Sequence, residues 1–447
     1  MRTVGWRPLL RQHLRLRFPL AVAAVASAGV VLRVLWVLQG NRLQPEPGGA
    51  EMFHIARAFA MTGRLADAYG VGTGPTAHAT PLMPMFSGTV YRLFGVGTPL
   101  SQFLLLSASL VLVGVSIWAA NAAARRLSIG RPARLAAIAY IALVPVYIHL
   151  EAHAFRLWDG AAAAAIIAAC LAVVLRLDAA AEPPSWIKLL ALVAFGAAIL
   201  LLSTSAAVMV FGSALLLAFR RRGWWGMAGT GAAAAVLAVL VLLPWALRNE
   251  AVFGEKIWTR SSFGYISAEA FYDGAVHPAD IQAEFQARVA EIDPWLNPPV
   301  VRKMQAMGGE AAYSRHWTSQ TKRWVAAHPA GTLYLVGRHA VQLYFPPRWF
   351  IITPRCVALK QAAIWAVTLL AFFCLGRRLW RRDWRWLYVA AALILPEMQY
   401  LLVLPSIRFL YPVTTLMTFL ACDVAFAEGR RAAAWIAARR GRSGVSP

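Results

Sequence analysis

Apolar runs of about 20 residues recur along the whole sequence, which is the length that an α-helix needs to cross a bilayer. They cover residues 19–38, 98–121, 133–149, 160–175, 187–202, 205–219, 227–247, 357–376, 386–404 and 409–427. Only helices and closed barrels satisfy their backbone hydrogen bonds inside lipid. Because 59% of the residues are hydrophobic and 14% are charged, we predict an all-α polytopic membrane protein with about ten transmembrane helices.

The basic residues predict which ends of these helices face the cytoplasm. The chain has 44 Lys and Arg residues and a net charge of +24, which also suggests nucleic-acid binding. However, 24 of the 44 lie in the segments that are cytoplasmic if both termini are inside. Basic residues collect in cytoplasmic loops of membrane proteins. We therefore expect membrane lipids as partners and no nucleic acid, with both termini in the cytoplasm.

The first run follows a basic segment, as in a signal peptide, but it continues to about Leu38. That is too long for a signal peptide, so we predict an uncleaved first helix. Residues 331–346 form another apolar stretch, which contains Arg338, His339 and Gln342. A crossing here would place the basic segment 376–385 outside, so we predict a helix that lies in the membrane interface.

These assignments divide the chain into three regions. Residues 1–247 form a transmembrane catalytic core of seven spans, with a first external loop over 39–97. Residues 248–356 form a small, mostly helical periplasmic domain that includes the interfacial helix 331–346, and helices are predicted over 279–293 and 310–328. Residues 357–447 add three spans and a basic cytoplasmic tail.

The first external loop contains ionisable residues among apolar ones at helical spacing. Residues 50–62 predict an amphipathic helix in the interface, and 80–94 predict a second one. Glu51 begins the first helix, where a carboxylate is also favoured by the helix dipole. Glu51 is therefore either a capping charge or a catalytic group.

The predicted turn 147–159 between the third and fourth spans is unusually polar, since it contains His149, Glu151, His153, Arg156 and Asp159. Polar groups at membrane depth are costly and usually functional. Arg156 and Asp159 are also spaced as a helix-surface pair. His149 and His153 have the spacing of metal ligands on one helix face, but no motif accompanies them.

Further cations are predicted at the same membrane face, at Arg248 and Arg408. Such arginines either contact lipid headgroups or bind a phosphate ligand through the planar guanidinium. External carboxylates near these cations suit a reaction on a lipid-linked phosphate: the carboxylate deprotonates a hydroxyl and the cations stabilise the leaving phosphate. A transporter would instead concentrate charge near the bilayer midplane, where only Arg33 and Glu397 are predicted.

Four stretches resemble the C-type glycosyltransferase superfamily, in particular the bacterial branch of protein O-mannosyltransferases and the aminoarabinose transferase of lipid A. The first is the external loop, with Glu51–Arg57 and Gly63 in its first half and Gly74–Ala77, Pro81 and Pro84 in its second half. The other three are Pro244–Asn249 followed by Phe253 and Gly254, Trp324–Pro329, and Arg408–Pro412. Each motif is weak alone, but their order and topological depth are specific, and they extend over nearly the whole chain.

The resemblance implies a transferase that moves a sugar from a polyprenyl-phosphate donor to a lipid, polysaccharide or protein acceptor. It also implies a bacterial inner membrane, with the active site on the periplasmic side. It implies Glu51 as general base; either Asp159 or Glu151 can be the second acidic residue, and we prefer Asp159 because it lies just before the fourth span. Ala50 stands where many members have another acid. The remaining candidates bind substrate or phosphate: His54, Arg57, His78, Glu151, Arg156, Arg248, Asn249, Arg408 and Tyr411. Metal use varies in the family, so neither a metal nor another cofactor is assumed.

Two other classes of function remain open. A transporter of a lipid-linked or polysaccharide substrate would show internal pseudo-symmetry, which the sequence lacks. A non-catalytic subunit built on the same fold would also explain why Ala50 replaces an acid. The four cysteines have no paired spacing, so they predict free thiols and neither a disulfide framework nor a zinc site.

Overall fold

The computed structural model describes residues 7–40, 42–43, 50–351 and 355–443. Parts of the predicted basic N-terminal segment, first external loop and C-terminal tail lie outside these residues. The described chain is all-helical, with 79% of it in helices and no strands. Its four cysteines are free thiols.

The helices of the first half are α1 Arg7–Gln39, α2 Ala50–Thr62, α3 Leu82–Phe94, α4 Pro99–Arg126, α5 Arg131–Leu143, α6 Ile148–Ala152, α7 Gly160–Asp178, α8 Trp186–Leu200 and α9 Thr204–Phe253. Those of the second half are α10 Phe263–Ala270, α11 Asp273–Val276, α12 Ile281–Ile292, α13 Pro298–Ala306, α14 Glu310–Ala327, α15 Pro329–Tyr344, α16 Val357–Trp380, α17 Trp386–Ile394 and α18 Ile407–Ser443. Short 3₁₀ helices lie at Ala154–Arg156, Arg348–Phe350 and Leu395–Leu402.

Within the described chain, six helices are long and apolar enough to cross a membrane: α1, α4, α7, α9, α16 and α18. A seventh crossing is formed if α5 is counted together with Ile148–Arg156, which follows it across a 64° bend. Two shorter apolar helices, α8 and Trp386–Leu402, coincide with predicted spans. The chain is thus a polytopic helical membrane protein by length and composition, and the count of ten stays a prediction.

Helix α9 contains two of the predicted spans. Its 50 residues would extend about 75 Å as one straight helix, more than twice the hydrocarbon thickness. Gly223 interrupts it with φ 71° and ψ −165°, a backbone conformation open mainly to glycine. A Cβ on Gly231 would lie 3.5 Å from the Leu215 side chain, which is in the other arm. The two arms therefore fold back on each other as an antiparallel pair.

Helix α7 is one of the two most enclosed apolar helices, together with α18. In its most apolar window 67% of the residues are buried, whereas α1 has 17% buried. Its first turns carry the buried alanines 161–165. Small side chains allow helix backbones to approach closely in a membrane protein. This packing fixes the start of α7, where the predicted site residue Asp159 lies.

The loop predicted over 39–97 contains the two expected helices, α2 and α3. They cross closely at Gly88, where a Cβ would lie 2.8 Å from the Ala56 carbonyl oxygen. A glycine-rich turn joins them, and there Asp67 Oδ1 accepts hydrogen bonds from the Gly72 and Gly74 amides, both at 3.1 Å. The turn fixes the path of the chain between α2 and His78.

Helices α10 to α15 occupy the region predicted as the periplasmic domain. Helices α12 and α14 coincide with the helices predicted over 279–293 and 310–328. Helix α10 crosses α14 at Gly264, where a side chain would collide with Ser314. Helix α15 coincides with the stretch 331–346 and is not among the candidate spans. Its position in the membrane interface stays a prediction.

Candidate active site

Arg408, the second residue of α18, lies over the indole ring of Trp158 at 4.4 Å from the ring centroid. The neighbouring Phe409 ring is also within reach of the guanidinium, at 5.2 Å. In the part of the chain that the structure describes, no hydrogen bond or ion pair involves the Arg408 guanidinium. Stacking on aromatic rings holds a guanidinium in place while its N–H groups stay available. Arg408 is therefore a positioned cation that can receive an anionic ligand.

Glu51 lies in the first turn of α2 and is partly buried. Burial, together with the nearby charge of Asp293, raises the pKa of its carboxyl to about 7. Its own backbone N–H and the charge of Arg408 act in the opposite direction. A carboxyl group that is close to half-ionised at neutral pH suits a general base. The structure thus brings Glu51 and Arg408, two predicted site residues, into electrostatic contact.

A second carboxyl group, Asp293, belongs to the same site. It ends α12, and its Oδ1 accepts a hydrogen bond of 2.8 Å from the Trp295 amide. Burial raises its pKa to about 6, opposed by the Trp295 hydrogen bond and the charge of Arg408. The sequence analysis did not select Asp293. Although Ala50 gives Glu51 no acidic neighbour along the chain, α12 supplies one in space.

Asp159 is the residue immediately before α7. Its side chain makes no capping hydrogen bond to the helix, so capping does not account for it. Its charge acts on Arg408, together with the charges of Glu51 and Arg260. Asp159 thus faces the same guanidinium as Glu51, next to the stacked Trp158.

His78 joins this site through aromatic contacts. Its ring meets the edge of Trp158 at a centroid distance of 6.4 Å. Its Nδ1 lies 3.0 Å from the Tyr69 hydroxyl and 3.2 Å from that of Tyr265. Burial lowers the pKa of His78 to about 3, with further lowering by Arg260 and Arg408, so the ring is neutral. With Nδ1 accepting from a tyrosine hydroxyl, Nε2 carries the proton and can donate to a ligand.

We call these residues the Arg408 cluster: Glu51, His78, Trp158, Asp159, Asp293 and Arg408. It combines two carboxyl groups of raised pKa, one available guanidinium and one neutral imidazole. Among the described residues there is no group of three or more His, Cys, Asp or Glu side chains that could hold a metal ion. The rings of His149 and His153, the residues with metal-ligand spacing, are stacked 5.3 Å apart.

Arg248 and Asn249 support the first loop. Arg248 donates 2.9 Å hydrogen bonds to the carbonyl oxygens of Thr76 and Leu65 and to Asn249 Oδ1. Asn249 is fully buried and donates to the Ile257 carbonyl at 2.7 Å. Both side chains hold backbone segments together, so we leave them out of the ligand-binding set.

Glu310 gives the same loop a second support. It is buried and accepts hydrogen bonds from the Thr76 hydroxyl at 2.5 Å, the Ala77 amide at 2.9 Å and the Ser261 hydroxyl. Glu310 begins α14, so this residue ties the loop carrying His78 to the region of α10–α15. Burial raises its pKa, whereas the three hydrogen bonds and Arg248 lower it.

Arg156 points away from the Arg408 cluster. It is 2% exposed and donates to the carbonyl oxygens of Arg42 and Leu43 at 2.8 and 3.1 Å, and to Gln102 Oε1 at 3.0 Å. It also contacts His153. These contacts join the end of α1 to α4, and they occupy donors that phosphate binding would need.

Glu151 and Tyr411 form another buried network, with Arg33. The Arg33 Nε donates to Glu151 Oε2 at 2.8 Å, and the Tyr411 hydroxyl donates to Oε1 at 2.9 Å. All three residues are at most 4% exposed. The network joins α1, α6 and α18 inside the bundle, so we leave Glu151 and Tyr411 out of the proposed site.

His54 and Arg57 lie further along α2 and contact different neighbours. The His54 ring packs against Phe53 at 5.8 Å, and burial followed by the charge of Arg57 lowers its pKa. In the described chain no hydrogen bond or ion pair joins either residue to the Arg408 cluster. Their predicted substrate contacts stay predictions.

Comparison with known proteins reveals a likeness of fold only. No family model matches the sequence, and no curated protein matches it significantly. Two solved structures of an archaeal oligosaccharyltransferase have a similar fold. The described residues thus form a polytopic helical membrane protein whose fold is similar to that of these two structures.

The particular neighbour is AglB from Archaeoglobus fulgidus in complex with an inhibitory peptide and a dolichol-phosphate, with a TM-score of 0.50 at 10% identity. The match covers 95% of this chain and 52% of that one. The apo form of the oligosaccharyltransferase from the same organism gives a TM-score of 0.50 at 11% identity, covering 96% and 52%. This chain therefore spans about half the length of the structures that it matches.

Proposed function

We propose that this chain is an integral membrane glycosyltransferase. It transfers a sugar from a polyprenyl-phosphate-linked donor to an acceptor hydroxyl at the periplasmic face of a bacterial inner membrane. The observation that carries the proposal is that Glu51, whose pKa is about 7, interacts electrostatically with the available guanidinium of Arg408. The likeness to a protein solved with a dolichol-phosphate supports a lipid-phosphate donor.

In the proposed reaction one bond forms and one breaks at the anomeric carbon of the sugar. The acceptor oxygen attacks this carbon while its proton passes to the Glu51 carboxylate. The bond from the anomeric carbon to the phosphate oxygen breaks, and its electron pair leaves with the polyprenyl phosphate. Arg408 stabilises the charge on that phosphate, since a planar guanidinium binds two phosphate oxygens at once.

The other members of the Arg408 cluster adjust this chemistry. Asp293 acts on Glu51 and raises its pKa, which increases its strength as a base. The negative charge of Asp159 near Arg408 orients the guanidinium and leaves its N–H donors available for a ligand. His78 is neutral and donates from Nε2 to an uncharged oxygen of the sugar. Asp293 and Asp159 thus have positioning roles, whereas His78 binds the substrate directly.

The proposal is tested by comparing cells with and without the gene. Mass spectrometry of lipids, polysaccharides and protein glycans should show one sugar missing from one acceptor class in the deletion strain. The polyprenyl-phosphate sugar should accumulate there, and the wild-type gene should restore the modification. Unchanged covalent structures, with an altered distribution of a glycolipid across the membrane, would instead identify a transporter.

A further inference from the structure

A cavity of about 740 Å³ lies between helix α14 and the segment 255–264. Along α14 its lining residues recur every three or four positions, from Ala311 to Arg323, so one face of the helix forms a wall. The charged lining residues are Glu255, Lys256, Arg260, Arg315, Lys322 and Arg323. We call this cavity the basic pocket.

Three cations of the basic pocket lack an acidic partner among the described residues. Arg315 pairs with Glu255 at 2.6 Å, and Lys256 pairs with Glu250 at 3.6 Å. Such pairing is absent for Arg260, Lys322 and Arg323. Arg260 also has a buried Nε that makes no hydrogen bond. A cleft lined by one sign of charge concentrates ligands of the opposite sign.

The basic pocket shares a wall with the Arg408 cluster. Beside Arg260, the Ser261 amide donates to the Ala77 carbonyl oxygen at 2.9 Å, and the Ser262 hydroxyl donates to the His78 carbonyl oxygen at 3.1 Å. The segment that lines the pocket is thus bonded to the segment that carries His78. The charge of Arg260, which lines the pocket, also acts on Arg408 and His78, so the pocket adjoins the Arg408 cluster.

We propose that the basic pocket binds the acceptor through a multiply charged oxyanion, carried as phosphate or carboxylate groups. The assignment to the acceptor rests on the proposed function, because there Arg408 receives the donor phosphate. Three unpaired cations match a ligand with more than one negative charge. The hydroxyls of Thr318 and Ser319, on the same face of α14, can donate to its oxygen atoms.

The test measures binding directly and needs no knowledge of the sugar. Tripolyphosphate is titrated by calorimetry, at low salt, into the full chain in nanodiscs of neutral lipid. We expect saturable binding that weakens as salt screens the cations. Arg323→Ala should weaken it by about twofold to fivefold, since an exposed ion pair contributes modestly. Arg302→Ala removes another exposed helical arginine, in α13 outside the pocket, and should leave binding unchanged.

Absence of saturable binding, or equal weakening by Arg302→Ala, would overturn the proposal. Glu51→Gln separates the proposal of oxyanion binding from the proposed function. This variant should bind tripolyphosphate normally whether or not sugar transfer is lost. Repeating the titration with anionic lipid in the nanodisc distinguishes two sources of the oxyanion. If anionic lipid competes with tripolyphosphate in the wild type but not in Arg323→Ala, the pocket is supported and its oxyanion belongs to a lipid headgroup. If anionic lipid leaves the affinity for tripolyphosphate unchanged, the pocket is supported and the oxyanion belongs to a water-exposed acceptor group.

Discussion

The guanidinium of Arg408 lies 4.4 Å from the centroid of the Trp158 indole, and this stack joins the start of α18 to the start of α7. The residue after Trp158 is Asp159, whose charge acts on the same guanidinium. Through its edge contact with Trp158, His78 of the first loop approaches the same place. One aromatic side chain thus connects three distant parts of the sequence around one cation.

Replacing Arg408 by lysine tests whether the planar guanidinium matters beyond its charge. Lysine keeps the charge but loses the stack on Trp158 and two-point binding of phosphate. We expect Arg408→Lys to reduce the turnover number by about 10- to 100-fold, less than the roughly 100- to 1,000-fold for loss of one transition-state donor, because the charge is kept. Transfer to the acceptor identified by mass spectrometry provides the assay. The matched control, Arg64→Lys at an exposed position of the first loop, should be close to wild type; equal losses in both variants would contradict the role of Arg408.

The pH dependence of the reaction should follow the ionisation of Glu51. Burial raises its pKa from 4.5 to about 7, so below pH 7 the folded protein holds the carboxyl mostly protonated and unable to accept a proton. We therefore expect the rate to rise about tenfold per pH unit below pH 7 and to level off above it. Initial rates between pH 5.5 and 8.5 measure this. A rate that is already maximal at pH 5.5 would show that Glu51 is not the titrating base.

The buried pair of Arg33 and Glu151 is expected to stabilise the fold. Glu151→Gln leaves a buried guanidinium without its counter-charge, which costs about 3–5 kcal/mol when one partner of such a pair is removed. Thermal unfolding in detergent should show the loss, while folded protein keeps its turnover number. Glu291→Gln breaks the partly exposed pair with Arg288 and should cost less than about 1 kcal/mol. Equal stability of the two variants would show that the buried network contributes little.

The turn at Gly223 should tolerate no other residue. Its φ of 71° and ψ of −165° are strained for an L-residue, so Gly223→Ala should destabilise the protein by about 1–3 kcal/mol. In contrast, Gly376 lies within α16 with open space around it, and Gly376→Ala should be neutral or stabilising by up to about 1 kcal/mol. Thermal unfolding of both variants makes the comparison. If Gly376→Ala is destabilised while Gly223→Ala is as stable as the wild type, the two arms of α9 do not require this turn.

Much of the fold follows from hydrophobic length and charge. The apolar runs at 19–38, 160–175 and 357–376 correspond to α1, α7 and α16. The arginines at 220–222, followed by Gly223, indicate the turn that divides α9. The predicted span 133–149 passes through Pro145, although the residue before a proline is disfavoured in a helix. Helix α5 accordingly ends before this proline, and the chain bends by 64° there.

The site was only partly predictable because sequence does not reveal which way a side chain points. Asp159 and Glu151 lie in the same polar turn, yet the charge of Asp159 acts on Arg408 while Glu151 bonds to Arg33. Asp293 reaches the site only through the packing of α12, far from the first loop in sequence. The one local signal in the sequence is that Asp293 ends a predicted helix and is followed directly by Pro294.

The most direct test of the account is the Glu51→Gln variant in cells that lack the wild-type gene. Glutamine keeps the shape of the side chain but cannot accept the proton, so transfer should fall by about 100- to 10,000-fold. Glu182→Gln changes an exposed acid between α7 and α8 and serves as control. Mass spectrometry should find the acceptor without its sugar in Glu51→Gln cells and modified in Glu182→Gln cells. An acceptor that is fully modified in Glu51→Gln cells would contradict the assignment of Glu51 as the base.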